Sequence, residues 1–123
     1  MKKYPLVVSA ILMAATATAN VWAGHDDDQR IIDAAAKHQV TAAQAAKAKD
    51  ETAVTLTGTI VRQIKHEHYE LQDASGKIGI EVDDDIANAK HLKVGTKVKV
   101  MGEVDTHRYK PTDVEVVKIE IIK

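Results

Sequence analysis

The chain has 123 residues, a formal net charge of −1 and no cysteine. This length accommodates one small domain, and the lack of cysteine excludes disulfides and thiol chemistry. Because basic residues are not in excess, the composition argues against a protein that neutralises a nucleic-acid backbone.

The first 23 residues follow the pattern of a secretory signal peptide. Lys2 and Lys3 precede an apolar run from 6 to 17, and Val-Trp-Ala at 21–23 forms a small-x-small cleavage site. The run is shorter than the roughly 20 residues that span a bilayer. We therefore expect cleavage after Ala23, a soluble periplasmic protein without membrane insertion of the mature chain, and a mature charge of −3.

Residues 24–52 form an alanine-rich segment for which we predict two short helices. Three aspartates at 26–28 precede the first helix, where carboxylates cap free amides. Thr41 and Gln44 form a capping box that opens the second helix, which we expect to end near Ala48. Since alanine buries little surface, we expect the first helix to be loosely attached.

From residue 53 onward, apolar residues alternate with polar ones, as in half-buried strands. The pattern predicts strands over 53–63, 68–73, 77–83, 97–104 and 114–122. The inward residues of the first three are Val54, Leu56, Ile60, Tyr69, Leu71, Ile78, Ile80 and Val82.

The connections between the strands carry their own signals. Asp73 to Gly76 predicts a hairpin turn in which the glycine adopts a positive φ. Ile86, Ala89 and Leu92 recur at helical spacing and predict one short helix between the third and fourth strands. In the fifth strand the inward set slips by one residue at Val117, which indicates a β-bulge.

Five strands with a short helix between the third and fourth predict a mainly β fold, a five-stranded OB-fold Greek-key barrel over 53–123. Gly58 and Gly102 lie at equivalent places in the first and fourth strands. These strands bend and pair on both sides in such a barrel, so we expect both glycines to allow a close approach of the neighbouring backbone.

Four stretches resemble the bacterial OB-fold (BOF) family, periplasmic stress-tolerance proteins of the YgiW/YdeI type. They are TLTGTIV, YELQDASGKIGIEV, VKVMGEVD and VEVVKIEIIK, and the resemblance runs from about Thr41 to Lys123. It implies an exported protein that acts under envelope stress and binds something other than nucleic acid.

The outward face of the second and third strands is a candidate binding face. It has mixed charge and lacks the aromatic side chains on which nucleic-acid OB-folds stack bases. The face is compatible with a small charged ligand, a sugar or a peptide, and equally with plain solvation. Its candidate ligand-binding residues are His68, Glu70, Lys77 and Glu81.

The loop between the fourth and fifth strands is a second candidate. It combines one aromatic ring with three potential cations ahead of Pro111, which suits an anionic or sugar ligand; a solvated hairpin loop is the alternative. Its candidate residues are His107, Arg108, Tyr109 and Lys110.

Histidines are the candidates for metal binding, and serine is the candidate nucleophile for catalysis. His66 and His68, two residues apart on a strand edge, offer a zinc, nickel or copper site together with Glu70 or with His107; plain surface histidines are the alternative. Ser75, the single serine after position 23, lies in a turn, and no nucleophile–base pair is evident, so we expect neither enzymatic activity nor a cofactor.

The leading hypothesis is therefore a periplasmic OB-fold binding module that supports envelope stress tolerance. Its partner would be a small charged ligand, a glycan or an envelope protein. The alternatives are a metal-buffering protein that uses the surface histidines and a regulatory partner of a membrane enzyme.

Overall fold

The computed structural model describes residues 23–123, with side chains described from residue 28. The predicted signal peptide thus lies almost wholly outside the described residues. No helix in the described part has the length and apolar character needed to cross a membrane. The elements are α1 (Ala23–Ala36), α2 (Ala42–Ala46), β1 (Ala53–Lys65), β2 (His68–Asp73), β3 (Gly76–Glu81), β4 (Lys97–Asp105) and β5 (Asp113–Ile122).

The five strands close into a barrel in the order β1-β2-β3-β5-β4. All neighbours are antiparallel except β3 and β5, which run parallel. The eight apolar residues predicted to face inward in β1, β2 and the β3 region are all buried. The predicted five-stranded OB-fold is therefore confirmed.

The two strand glycines are sites of close backbone approach, as predicted. A Cβ on Gly58 would lie 2.6 Å from the carbonyl oxygen of Gln72 in β2, and a Cβ on Gly102 would overlap the carbonyl of Glu115 in β5. In the β1–β4 pairing, Gly58 faces Val98 and Gly102 faces Val54. Each glycine therefore lets one of the two long strands approach its second neighbour.

The predicted irregularities of the hairpin turn and the last strand are also present. Gly76 closes the β2–β3 turn with φ +150°. In the β4–β5 ladder, Met101 pairs with Lys118 and Gly102 with Val116, so Val117 is the extra residue of a bulge.

The helix predicted between β3 and β4 is wrong: residues 83–92 form two separate turns. The Asp83 carboxylate accepts a hydrogen bond from the Asp85 amide, and the Asn88 side chain accepts one from the Lys90 amide. Such local side-chain bonds favour turns over a continuous helix. Of the three residues at helical spacing, Leu92 is buried, whereas Ile86 and Ala89 are exposed; Ala87 is buried in this segment as well.

The N-terminal segment is attached to the barrel more firmly than its composition predicts. The Thr55 hydroxyl, which is buried, donates to the Ala35 carbonyl at 2.7 Å. The Thr55 amide and carbonyl bond to His38 and Val40, and Gln39 forms an isolated parallel bridge with Thr55. The bounds of α1 also place the aspartates at 26–28 inside the helix rather than ahead of it.

The second helix is anchored by the β2–β3 turn. Thr41 and Gln44 form the predicted capping box. In addition, the Ala42 amide donates to Asp73 Oδ2 at 2.8 Å and the Ala43 amide donates to Ser75 Oγ at 2.9 Å. The hairpin turn thus binds the first amides of α2 and fixes the helix against the barrel.

Candidate functional site

A groove of about 580 Å³ lies on the outer face of the barrel, between the end of β1, the β2–β3 face and the β4–β5 loop. We call it the basic groove. Its lining residues are Ala46, Arg62, Ile64, Lys65, His68, Glu70, Lys77, Ile78, Gly79, Lys110, Pro111, Thr112 and Asp113.

One basic side chain of this groove lies beside a carboxylate, and three others do not. Arg62 Nε lies 3.5 Å from Glu70 Oε1, so these two side chains partly neutralise each other. Among the described residues, Lys65, Lys77 and Lys110 have no carboxylate within 4.0 Å. Three lysines without an acidic partner around one concavity favour an anionic ligand.

Two features of the strands create the basic groove. Register shifts in the β1–β2 ladder fall at Val61 and Ile64, and bulges of this kind re-aim the side chains beside them. Ile64 is 45% exposed and lines the groove as an apolar surface. Gly79 in β3 has no side chain where β3 meets Asp113 of β5, which leaves the floor open.

Some residues of the β4–β5 loop line the basic groove, and others are exposed to solvent outside it. His107 Nε2 lies 3.0 Å from Asp113 Oδ1 and 3.6 Å from Asp105 Oδ2, so this histidine braces the base of the loop. Tyr109 is 91% exposed, and the Arg108 guanidinium lies 6.0 Å from its ring centre. Of the four loop residues proposed from the sequence, Lys110 is the one that lines the groove.

The four residues predicted on the sheet face also belong to two different sites. His68, Glu70 and Lys77 line the basic groove together with Lys110. Glu81 instead lines a second cleft under α1, which we call the acidic cleft. The acidic cleft is lined by Asp28, Ile31, Glu81, Asp83, Ile86, Glu103, Glu115, Val116 and Val117.

The surroundings of Glu115 in the acidic cleft change the pKa of its carboxyl group. Desolvation, followed by the charges of Glu81, Asp105, Glu103 and Asp113, raises the pKa of Glu115. Glu103 and Glu115 are direct partners across the β4–β5 ladder, and Glu81 pairs with Glu115 across β3–β5. Like charges opposite each other repel, which favours the protonated carboxyl.

Several groove residues were missed by sequence reasoning. Arg62 and Ile64 lie near the end of β1, and Thr112 and Asp113 precede and open β5. A signal for the β1 residues existed in principle, because the apolar alternation of β1 lapses after Ile60. No local signal brings β1 beside the β4–β5 loop, since that proximity depends on the closure of the barrel.

The three histidines of the predicted metal site do not form one cluster among the described residues. Each is paired with its own carboxylate instead. His66 Nε2 lies 2.8 Å from Asp84, His68 Nε2 lies 4.0 Å from Glu81, and His107 bonds Asp113. The groups that the structure does bring together are His66–Glu67–Asp84 and Asp105–His107–Asp113.

The fold and these sites can be compared with known proteins. The model of the bacterial OB-fold (BOF) protein family matches residues 17–121. The chain belongs to the BOF family. This membership confirms the resemblance found in the strand motifs.

Two relatives are similar to the chain over about two thirds of its length. The calcium-regulated OB-fold protein CarO of Pseudomonas aeruginosa is 39% identical over 83 residues, which are 68% of this chain and 71% of CarO. The structure of the hypothetical protein YgiW from E. coli matches with a TM-score of 0.59 and 30% identity. It covers 68% of this chain and 88% of the YgiW chain.

OB-folds outside the BOF family resemble the chain in fold alone. Asparaginyl-tRNA synthetase from Pyrococcus horikoshii matches with a TM-score of 0.60 and 21% identity, over 68% of this chain and 23% of the synthetase. At this identity the likeness concerns the barrel and not its ligand.

Proposed function

We propose that this BOF protein is an exported binding module that supports envelope stress tolerance by holding a small anionic ligand, such as an acidic sugar, in the basic groove. The observation that carries the proposal is the set of Lys65, Lys77 and Lys110 around one concavity, without acidic partners among the described residues. The protein acts by binding and not by catalysis.

The groove offers two kinds of contact that suit an acidic sugar. The lysine ammonium groups provide charge and hydrogen-bond donors for a carboxylate. Ile64, Ile78 and Pro111 provide apolar surface for the face of a ring. A small number of polar groups on an apolar floor is the usual composition of a small-molecule site.

Nucleic acid fits this groove poorly. No aromatic residue is among its lining, so there is no platform for base stacking. Tyr69, between His68 and Glu70, is buried in the core, and Tyr109, next to Lys110, is exposed to solvent outside the groove. A single-stranded nucleic acid also requires a continuous basic track, whereas Glu70 and Asp113 interrupt the lysines.

A matched pair of sugars tests the proposal. We expect galacturonate, but not neutral galactose, to shift the amide NMR signals of residues 62–65, 77–79 and 110–113. The double variant Lys77→Ala with Lys110→Ala should weaken galacturonate binding at least tenfold while the melting temperature stays within a few degrees, because both side chains are exposed.

The control is the double variant Arg108→Ala with Tyr109→Ala, which alters the same loop outside the groove. It should bind galacturonate like the parent. Equal shifts with galactose, or equal loss in both double variants, would overturn the anionic groove. Shifts confined to the loop tip and induced only by envelope proteins would favour a protein partner instead.

Export is a further part of the proposal. The basic n-region and the apolar run ahead of position 23 support a mature protein that begins at Gly24. N-terminal sequencing of the protein released from cells by osmotic shock tests this directly. Recovery of the uncleaved chain from the cytoplasm would contradict it.

A further inference from the structure

His66, Glu67 and Asp84 meet at one end of the barrel, where the β1–β2 turn contacts the segment after β3. One ligand atom from each lies within 4.8 Å of the others. His66 Nε2 is 2.8 Å from Asp84 Oδ2, and the Asp84 amide donates to Glu67 Oε2 at 2.8 Å. One imidazole nitrogen and two carboxylates therefore converge from two separate segments.

Tyr69, two residues after Glu67 in the chain, carries a buried hydroxyl. Tyr69 is 1% exposed, and its hydroxyl has no hydrogen-bond partner in the described part of the chain. Buried hydroxyls nearly always have a partner, and this one is a protonated donor that lacks an acceptor.

The backbone holds Glu67 in an unusual conformation. Its φ is +65°, a left-handed value that glycine or asparagine adopts more readily than glutamate. The Glu67 carbonyl accepts a hydrogen bond from the Val82 amide at 2.8 Å, which fixes the turn against the end of β3. The turn thus directs the Glu67 carboxylate toward Asp84.

We propose that His66, Glu67 and Asp84 form a binding site for a divalent transition-metal ion of the Zn²⁺ type, with the Tyr69 hydroxyl donating to a metal-bound water. Mixed imidazole and carboxylate donors suit Zn²⁺, whereas Ca²⁺ and Mg²⁺ prefer oxygen ligands throughout. Three protein ligands leave a position for water. This site is separate from the basic groove and does not depend on the proposed anionic ligand.

Bound metal would join the β1–β2 turn to the β3–β4 segment. Without metal, these two segments are connected by the hydrogen bonds that the Val82 and Asp84 amides donate to Glu67 and by the His66–Asp84 contact. A ligand that binds the folded state alone raises the melting temperature in proportion to the logarithm of its concentration. We therefore expect Zn²⁺ to stabilise the protein and Ca²⁺ to have little effect.

Calorimetry with the purified, tag-free protein and Zn²⁺ alone tests the site. We expect one Zn²⁺ per chain, with NMR shifts centred on residues 66, 67 and 84. His66→Ala should weaken binding by more than about 100-fold, since losing a ligand costs more than the 10- to 100-fold typical of an outer partner. Two controls, His91→Ala and His107→Ala, remove histidines outside the site and should bind like the parent.

Tyr69→Phe tests the role of the hydroxyl. We expect Zn²⁺ affinity about 10- to 100-fold lower, as for the loss of an outer partner, with an unchanged or higher melting temperature without metal. Unaltered affinity in Tyr69→Phe would remove the tyrosine from the site. Absence of one-to-one Zn²⁺ binding, or binding that survives His66→Ala but not His107→Ala, would overturn the proposal.

Discussion

At the scale of single residues, Gly102 is the strand glycine at which we expect an alanine substitution to destabilise the fold most clearly. A Cβ there would overlap the Glu115 carbonyl across the β4–β5 ladder, and neither backbone can move without disturbing the closed barrel. We expect Gly102→Ala to lower the free energy of unfolding by about 1–3 kcal/mol or more, the range for overpacking. Urea unfolding measures this loss.

The matched control is Gly79→Ala, also within a strand. A Cβ on Gly79 would lie 3.4 Å from the nearest side-chain carbon, an ordinary contact. Gly79→Ala should therefore lower the free energy of unfolding clearly less than Gly102→Ala. Equal losses would mean that the close approach at Gly102 is not the reason for the glycine.

Glu115 gives a prediction about pH at the same scale. Its raised pKa means that the folded protein retains a proton that the unfolded chain has already lost. The resulting stabilisation is complete below the ordinary value of 4.5 and disappears as the pH rises through the raised pKa. At neutral pH the ionised carboxylate therefore repels its acidic neighbours.

We expect Glu115→Gln to be more stable than the parent at pH 7 and to lose this advantage as the pH falls toward 4.5. Thermal unfolding over a pH series measures both effects. Glu120→Gln is the control, because Glu120 lies on the same strand with Lys118 at 3.9 Å and should gain nothing. A gain independent of pH would contradict the electrostatic explanation.

At the scale of elements, Asp73 connects α2 to the β2–β3 turn. Burial opposes ionisation of its carboxyl, but hydrogen bonds from Ser75, Ala42 and Gly76 outweigh this and lower the pKa. Asp73→Ala should lower the free energy of unfolding by about 0.5–2 kcal/mol, the usual cost of a lost helix cap. Hydrogen exchange should accelerate first at the amides of Ala42 and Ala43.

This contribution is present above the ordinary Asp73 pKa of 3.8 and disappears as the pH falls through the lowered value. Asp85→Ala is the control, since that side chain is exposed and makes no hydrogen bond within the described residues. If exchange in α2 is unchanged by Asp73→Ala, the turn does not anchor the helix.

At the scale of the whole molecule, charge is distributed unevenly. Lysines surround the basic groove, and carboxylates line the acidic cleft. The formal net charge of the chain is −1, so basic residues are not in excess to neutralise a phosphate backbone. We expect no single-stranded DNA binding at physiological salt tighter than about 10⁻⁴ M, the level of weak non-specific association. Fluorescence anisotropy with a labelled oligonucleotide checks this, and a salt-sensitive micromolar complex would contradict it.

The sequence predicted the barrel well and the candidate site in part. His68, Glu70 and Lys77 followed from strand alternation, because outward positions on paired strands share a face. Arg62 and Asp113 escaped prediction, since their place in the groove depends on bulges and on the parallel β3–β5 pairing. The predicted helix at 83–92 failed because Asp83 and Asn88 form turns that a periodicity argument does not weigh.

The sequence by itself determined the five strands, the inward core, the capped second helix and the special glycines. These depend on alternation, turn chemistry and the room for one side chain, which are properties of neighbouring residues. The tertiary structure alone decided that Lys65, Lys77 and Lys110 surround one groove and that Thr55 is buried under the N-terminal segment. It also decided that the three histidines of the predicted metal site each lie beside a different carboxylate. These contacts join residues far apart in the chain, and a shift of one residue in register moves every side chain of a strand to the opposite face.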